Sequence, residues 1–541
     1  MRSLVVTADD PAIGIRHRSR GIGEDRSVDH DTLTVPGLLS RAVRRFGDRT
    51  YLVSPTERLT YAAANRRSAE LARRLIACGV GKGSRIGLFF ANGAEWVTWW
   101  LAVSRIGAIA VPLSTLYRPA EIAKVVRLAD IALLVAPCRV LNIDVTETME
   151  AAFPELARHG SPRLEIVAAP YLRTIMLTGD EGCPQWALRP DGDAVSSAVQ
   201  AAAEAEVSPA DLAIMVHTSG STADPKGVLH THGTLVRQTS TWPEAVRAVT
   251  GSAADPVILA AMPFFWIGGV LAAMGALHAP ITLLVMARLD AGGALDLAES
   301  ERATGIVGWP AFTQRLREHP SFGDRDLSSA PMLRDGPLDI AMTNVPDGFP
   351  VHRTMSETAG GFAYTEMKIV DADGAPVADG TVGELLVRGA GVMAGYNKRE
   401  RGETFDADGW YHTGDRVYRR ADDPRLFYVG RTSEMIKTSG ANVSPLEVEA
   451  VIEGFDDVAQ CVVVGLDHVE RGEEVCAVLV PAADGVDADS VARRTREALS
   501  AYKVPTRWIT ATSDQIPTLP SGKLNRKAVR EWISSREAEA R

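Results

Sequence analysis

Residues 216–233 read VHTSGSTADPKGVLHTHG, and the rest of the chain is organised around them. The centre runs Thr218-Ser219-Gly220-Ser221-Thr222-Ala223-Asp224-Pro225-Lys226-Gly227, small hydroxyl residues and glycines closed by a lysine. Leu212, Ile214, Met215 and Val216 precede it and predict a buried strand entering the loop. Glycine lets a backbone approach a ligand closely and tolerates positive φ, so such a loop can curl its N–H groups and hydroxyls around a polyphosphate. Lys226 then supplies a point charge for the outer phosphates. This is not the common P-loop, which needs Ser or Thr directly after Gly-Lys; here Gly227 follows Lys226. A flexible surface loop has the same composition, and composition alone does not separate the two.

The chain of 541 residues exceeds one ordinary domain, so two or more are expected. Apolar residues make up 46% and charged residues 23%, which suits a soluble protein with a large core. A net charge of −10 argues against a nucleic-acid surface. Cys78, Cys138, Cys183, Cys461 and Cys476 lie far apart in sequence, with no CxxC and an odd count. That usage predicts reduced thiols in a cytoplasmic protein, not a disulfide framework or zinc site. Residues 257–287 hold no Asp, Glu, Lys or Arg, a length that could span a bilayer. Pro263, Gly268-Gly269 and Pro280 interrupt the run, so a strand, a loop, a buried helix and a second strand are expected, and no membrane span.

Residues 1–30 are polar and irregular and read as a poorly ordered leader. Beyond them helices and strands alternate. Leu38, Leu39, Val43 and Phe46 recur at helical spacing; 61–78 is a helix stopped by Gly79; Ile86 to Phe90 is an apolar strand; Trp96, Trp99, Trp100 and Leu101 pack a further helix. This rhythm predicts α/β architecture: a large domain at 31–431 of helix-covered, mostly parallel sheets, then a small mobile α+β lid at 432–541. His230 and His232 form an HxH pair with no third ligand in view, and read as strand or loop residues.

The order TSGSTADPKGV closely resembles the phosphate loop of the adenylate-forming enzymes: acyl-CoA synthetases, aryl-CoA ligases, peptide-synthetase adenylation domains and luciferases. Other signatures follow in the family's order, so the likeness runs from about Thr32 onward. It implies that Thr218, Ser219, Gly220, Ser221, Thr222 and Lys226 cradle nucleotide phosphates. Met262-Pro263-Phe264-Phe265-Trp266-Ile267-Gly268-Gly269 resembles the substrate-pocket stretch. Phe265 and Trp266 then wall the acid pocket, Gly268 leaves room beside them, and Trp309 and Gly360 lie nearby. Arg353-Thr354-Met355-Ser356-Glu357-Thr358 aligns with Tyr-Gly-x-Thr-Glu. The likeness implies Ser356 on the α-phosphate and Glu357 on Mg2+. Asp408-Gly409-Trp410-Tyr411-His412-Thr413-Gly414-Asp415 is the most specific match, implying Asp415 on the ribose hydroxyls, with Tyr428 and Arg431 in the same nucleotide site. Ser433 stands at the family's hinge. Met435 to Val443, with Lys437 and Gly440, resembles the segment swung inward for thiolation, and Ser444-Pro445 starts a helix. Lys523, in PSGKLNR, matches the family's C-terminal catalytic lysine.

The sequence departs from the family on the adenine side. Arg353 and Thr354 replace the aromatic and glycine, the upstream adenine loop shrinks to Arg334-Asp335-Gly336-Pro337-Leu338, and the run from Glu357 to Met367 is short. The resemblance therefore implies an acid–CoA ligase that uses ATP or a ready-made acyl-AMP, Mg2+ and CoA. Adenylation is expected to be weak, with a separate adenylating enzyme and a homodimer as the expected protein partners. The alternatives are a stand-alone adenylation enzyme loading a carrier protein, and a scaffold that only retains nucleotide. Phe265, Trp266 and Gly268 favour a bulky apolar acid over an amino acid, whose family members carry an Asp near the position of Trp266.

Overall fold

The computed structural model describes residues 33–540 apart from 180–181, 190–193, 219–223, 251–254, 309, 331–332, 334–363, 422, 432–434, 439–440, 483–484 and 519–523. The leader expected at 1–30 lies outside the described residues.

Among the described residues two sheets form the body of the large domain. The eight-stranded one runs, edge to edge, Gly395–Tyr396, Lys226–Thr231, Leu212–Thr218, Ile109–Pro112, Arg85–Leu88, Leu133–Pro137, Thr174–Thr178 and Ala187–Leu188. From Leu212–Thr218 onward its strands are parallel; Lys226–Thr231 returns antiparallel to Leu212–Thr218. The five-stranded sheet places Gly305–Val307, Val257–Ala260, Thr282–Leu284 and Thr50–Val53 in parallel, with Arg58–Thr60 antiparallel at its edge. The charge-free run 257–287 thus folds as expected, as strand, loop, helix Ile267–Gly275 and strand.

Helix Ala94–Arg105 lies in the core formed with both sheets, which explains its three tryptophans. Trp96, Trp99 and Trp100 are buried, and a helix apolar on every side belongs inside a protein. Trp96 stacks on Trp100 at 5.8 Å and meets Phe264 at 5.0 Å, so this helix also underlies the pocket loop. Helix Tyr61–Ala77 is amphipathic instead, burying Tyr61, Ala64, Ser68, Ala72 and Leu75. The Thr60 hydroxyl caps its start, and Gly79 at φ 81° turns the chain away from its end.

A third sheet, not anticipated from the parallel rhythm, is wholly antiparallel: Glu366–Val370, Gly383–Arg388, Tyr411–Arg420 and Asp423–Arg431. The smaller C-terminal domain has its own five-stranded sheet, built on the long pair Val458–His468 and Gly472–Pro481. Helix Pro445–Ile452 starts as expected, with the Ser444 hydroxyl accepting the Glu447 amide. The cysteines differ from their sequence spacing. Cys138 and Cys183 bring their sulfurs to 3.9 Å, because Cys138 follows strand Leu133–Pro137 and Cys183 leads toward its neighbouring edge strands.

Candidate active site

The phosphate-loop candidate is framed by a tight antiparallel pair. Thr218 stands opposite Lys226 and His217 opposite Gly227. Gly227 follows the lysine for a packing reason: a Cβ there would fall 2.8 Å from Met215 Sδ. Lys124 holds Asp224 of the loop at 2.7 Å. Among the described residues Lys226 has no carboxylate partner; its ammonium stands 5.4 Å from the Tyr396 ring centroid.

These residues face a cavity of about 910 Å³. One wall comes from the sheet: His217, Thr218, Lys226 and Tyr396. A second is the stretch Met262, Phe265, Trp266, Ile267 and Gly268. Tyr411, His412, Thr413 and Gly414 form a third, and Met435, Ala441, Asn442, Glu447, Tyr502 and Lys503 of the small domain close the fourth. Thr218, Lys226, Phe265, Trp266 and Gly268 therefore line one cavity.

Gly268 does not leave open room. A Cβ there would meet Met262 Cε at 2.3 Å, and one at Gly269 would meet the Pro263 carbonyl oxygen at 2.3 Å. The two glycines let the loop fold back tightly on its own helix, and Met262 fills the space beside them.

Asp415 sits one residue beyond the cavity-lining Gly414, opposite Arg431 in the strand pairing, with Val417 opposite Tyr428. The turn that delivers it is well braced. Glu384 accepts the Gly414 amide at 3.0 Å and touches His412 Nδ1 at 3.2 Å, while the Thr413 hydroxyl accepts the Asp415 amide. Lys437 is exposed and does not line the cavity; its amide donates to Glu473, and it is Ala441 and Asn442 of the same hairpin that face inward. Ser219, Gly220, Ser221, Thr222, Trp309, Ser356, Glu357, Gly360, Gly440 and Lys523 lie outside the described residues, as does the shortened adenine side.

Sequence reasoning missed several lining residues. His217 was in the deciding stretch but had no assigned role; burial pushes its imidazole down to about 4, so it presents a neutral ring. Tyr396 bonds the Tyr411 hydroxyl at 2.7 Å, tying two sheets together at the cavity. Asn92 holds the pocket loop from behind, donating to the Met262 carbonyl at 2.9 Å and accepting the Phe264 amide at 2.8 Å. Among the described residues no group of three or more His, Cys, Asp or Glu could hold a metal ion, and no helix is long and apolar enough to cross a membrane. His230 is a strand residue, and His232 opens helix His232–Thr239.

A parallel-sheet body and a small domain meet at one cavity, lined by Thr218 and Lys226 on one side and by the Phe265-Trp266 stretch on another. The family model described as AMP-binding enzyme matches residues 39–336 and 339–397, and that described as AMP-binding enzyme C-terminal domain matches 447–523. The chain is 30% identical over 534 residues to a 3-[(3aS,4S,7aS)-7a-methyl-1,5-dioxo-octahydro-1H-inden-4-yl]propanoyl:CoA ligase of Mycobacterium tuberculosis, covering 93% of this chain and 99% of the relative. It is 30% identical over 506 residues to a feruloyl-CoA synthase of Amycolatopsis, covering 87% and 93%. Its fold matches the amide bond synthetase McbA from Marinactinospora thermotolerans with a TM-score of 0.73 at 25% identity, covering 92% and 99%. The chain belongs to the AMP-binding enzyme family, within the adenylate-forming superfamily, and its class is that of the AMP-forming acid–thiol ligases.

Proposed function

We propose that this chain joins a bulky apolar carboxylic acid to AMP and passes the acyl group to the thiol of CoA. The observation that carries this reading is the shared cavity, in which Thr218 and Lys226, the aromatic pair Phe265 and Trp266, and the hairpin residues Ala441 and Asn442 all take part.

The chemistry asks for these parts. In the first step a carboxylate oxygen attacks the α-phosphorus of ATP and pyrophosphate leaves. Two anions must meet, so cationic groups and N–H donors have to offset their repulsion. Lys226, which lines the cavity, is proposed to do this, and Lys523 and the 219–222 backbone are proposed to add to it. Glu357, beside Ser356, is proposed to hold Mg2+, which would supply charge neutralisation at the phosphates; one carboxylate is enough for an ion that also takes phosphate oxygens. In the second step the CoA sulfur attacks the acyl carbon, its proton goes to solvent, and AMP leaves with the former carboxylate oxygen. Ser433 is the proposed hinge, withdrawing Lys523 and bringing the 437–440 segment inward for this step. Asp415, Tyr428 and Arg431 are proposed to hold the ribose and phosphate, and Trp309 and Gly360 to complete the acid pocket.

The second half-reaction is proposed to be the stronger one. Arg353 and Thr354 in place of an aromatic and a glycine, and the abbreviated 334–338 loop, support this. A separate enzyme would then supply acyl-AMP.

The experiment treats the purified protein with a panel of acids plus ATP, and separately with synthetic acyl-AMP plus CoA. Thioester in the second mixture with slow pyrophosphate release in the first is expected. Rapid pyrophosphate release would overturn the weak-adenylation reading alone. Acyl transfer to a carrier-protein arm but never to CoA would favour the carrier-loading alternative, and no turnover in any mixture the scaffold.

A further inference from the structure

A buried charge cluster spans the two domains where the cavity ends. Glu121 lies in the first turn of helix Pro119–Leu128, where its carboxylate accepts the Arg118 amide at 2.8 Å and so caps its own helix. The same carboxylate receives two groups of the small domain: the Ser500 hydroxyl at 2.6 Å and the Lys503 ammonium at 2.7 Å. Lys503 also donates to Glu447 at 2.8 Å. The three charged side chains are 4%, 8% and 6% exposed for Lys503, Glu121 and Glu447. The rings of Tyr117 and Tyr502 flank the ammonium at 5.8 and 5.7 Å.

A buried ion pair adds little net stability over well-packed apolar residues, whereas its geometry is demanding. Such a cluster is better suited to fixing an orientation than to holding a fold together. Its partition between domains is informative. Glu447 starts the helix directly after hairpin Ile436–Thr438 and Ala441–Val443, so it moves with Lys503. The contacts to Glu121 cross the domain boundary and must break if the small domain turns. When they break, Lys503 keeps Glu447 and Glu121 keeps the Arg118 amide, so neither charge is left without a partner. The contact can therefore open and close at modest cost. While closed it holds the hairpin so that Ala441 and Asn442 face the cavity.

We propose that Lys503 is a positioning residue for the acyl-transfer half-reaction: its clasp on Glu121 sets the small domain in the orientation that presents strands Ile436–Thr438 and Ala441–Val443 to the acyl-AMP. This rests on the two-step reading given above. Burial works against the charge on Lys503, but Glu447 and Glu121 outweigh it and hold the ammonium above the ordinary lysine range, so Lys503 stays charged near neutrality.

The test uses the full chain with Glu121→Gln, which removes the interdomain charge yet keeps an oxygen for the Arg118 amide, and with the milder Ser500→Ala and Lys503→Arg. Two rates are measured: pyrophosphate exchange with acid and ATP, and single-turnover transfer from preformed acyl-AMP to CoA. Glu121→Gln is expected to slow transfer about tenfold or more while exchange stays within about twofold. Ser500→Ala should slow transfer by a few-fold, and Lys503→Arg should retain most of it. If Glu121→Gln does not fold, Ser500→Ala decides by the same comparison. Equal loss of both rates, or unchanged transfer, overturns the proposal. Wild-type protein inactive in both assays would instead overturn the two-step reading beneath it.

Discussion

Asn92 grips the pocket loop with both atoms of its amide, giving a hydrogen bond to the Met262 carbonyl and taking one from the Phe264 amide. The side chain thus pairs with the loop as a neighbouring strand would. Phe265 and Trp266 follow at once, so their placement depends on a residue some 170 positions away in the chain. Asn92→Ala leaves two backbone groups without partners, each costing about 1–3 kcal/mol where water cannot reach. The expected outcome is a lower unfolding midpoint and a KM for the acid that rises more than kcat falls. Steady-state kinetics over an acid panel check this; an unchanged KM would show that the grip does not matter to the pocket.

Met262 and Gly268 predict how acid size is read. In Gly268→Ala the new methyl displaces the Met262 methyl into the cavity. Specificity for bulky acids should fall by on the order of tenfold in kcat/KM, as for one added carbon in an apolar pocket. Adding Met262→Ala should restore it. Competition between a short and a bulky acid, followed by mass spectrometry of the products, gives the ratio directly.

Lys226 is expected to act mainly in the first step. Removing one preorganised charge from the reacting phosphates typically costs about a hundred- to a thousandfold. Lys226→Ala should lose pyrophosphate release on that scale while transfer from preformed acyl-AMP changes much less. Equal losses in both would mean that the lysine holds the fold or the AMP instead.

Acid should destabilise the protein through its buried imidazoles. His232 Nδ1 accepts the Val35 amide at 3.2 Å, at the start of helix Val35–Phe46, and a proton there would break that bond. Burial, only partly opposed by Asp211, pushes this ring down from 6.5 to about 4, and burial alone does the same for His230 and His217. The unfolded chain therefore binds protons that the folded chain refuses. Stability is complete above pH 6.5 and declines as the pH falls toward about 4. Each ring accounts for up to ~3 kcal/mol of that decline. Urea unfolding at a series of pH values measures it, and His232→Asn, which keeps an acceptor near Val35, should flatten part of the slope.

Much of the body was legible because its signals are local. Alternating apolar strands and helices announced the parallel sheets, and the charge-free run 257–287 resolved by its prolines and glycines into the observed elements. Thr218, Lys226, Phe265 and Trp266 could be gathered because each sits in a stretch that resembles a signature of the adenylate-forming family. The unread part depends on distance. Nothing in the neighbourhood of Asn92 points to Met262, and nothing near Glu121 points to Lys503, 382 residues on. The antiparallel pairing of the third sheet went unread because 366–431 is dense in motif residues whose spacing reports ligand contacts more clearly than strand partners. Gly268 misled for a related reason: a missing side chain tells of close approach but not of what approaches.

The most direct measurement follows one oxygen atom. An acid labelled with heavy oxygen in its carboxylate is incubated with the protein, ATP and CoA, and the products are weighed by mass spectrometry. If the acid is joined to AMP in this cavity before the thiol attacks, the released AMP carries one labelled oxygen and the acyl-CoA keeps the other. Thioester accompanied by unlabelled AMP, or by ADP with label in free phosphate, would contradict the account.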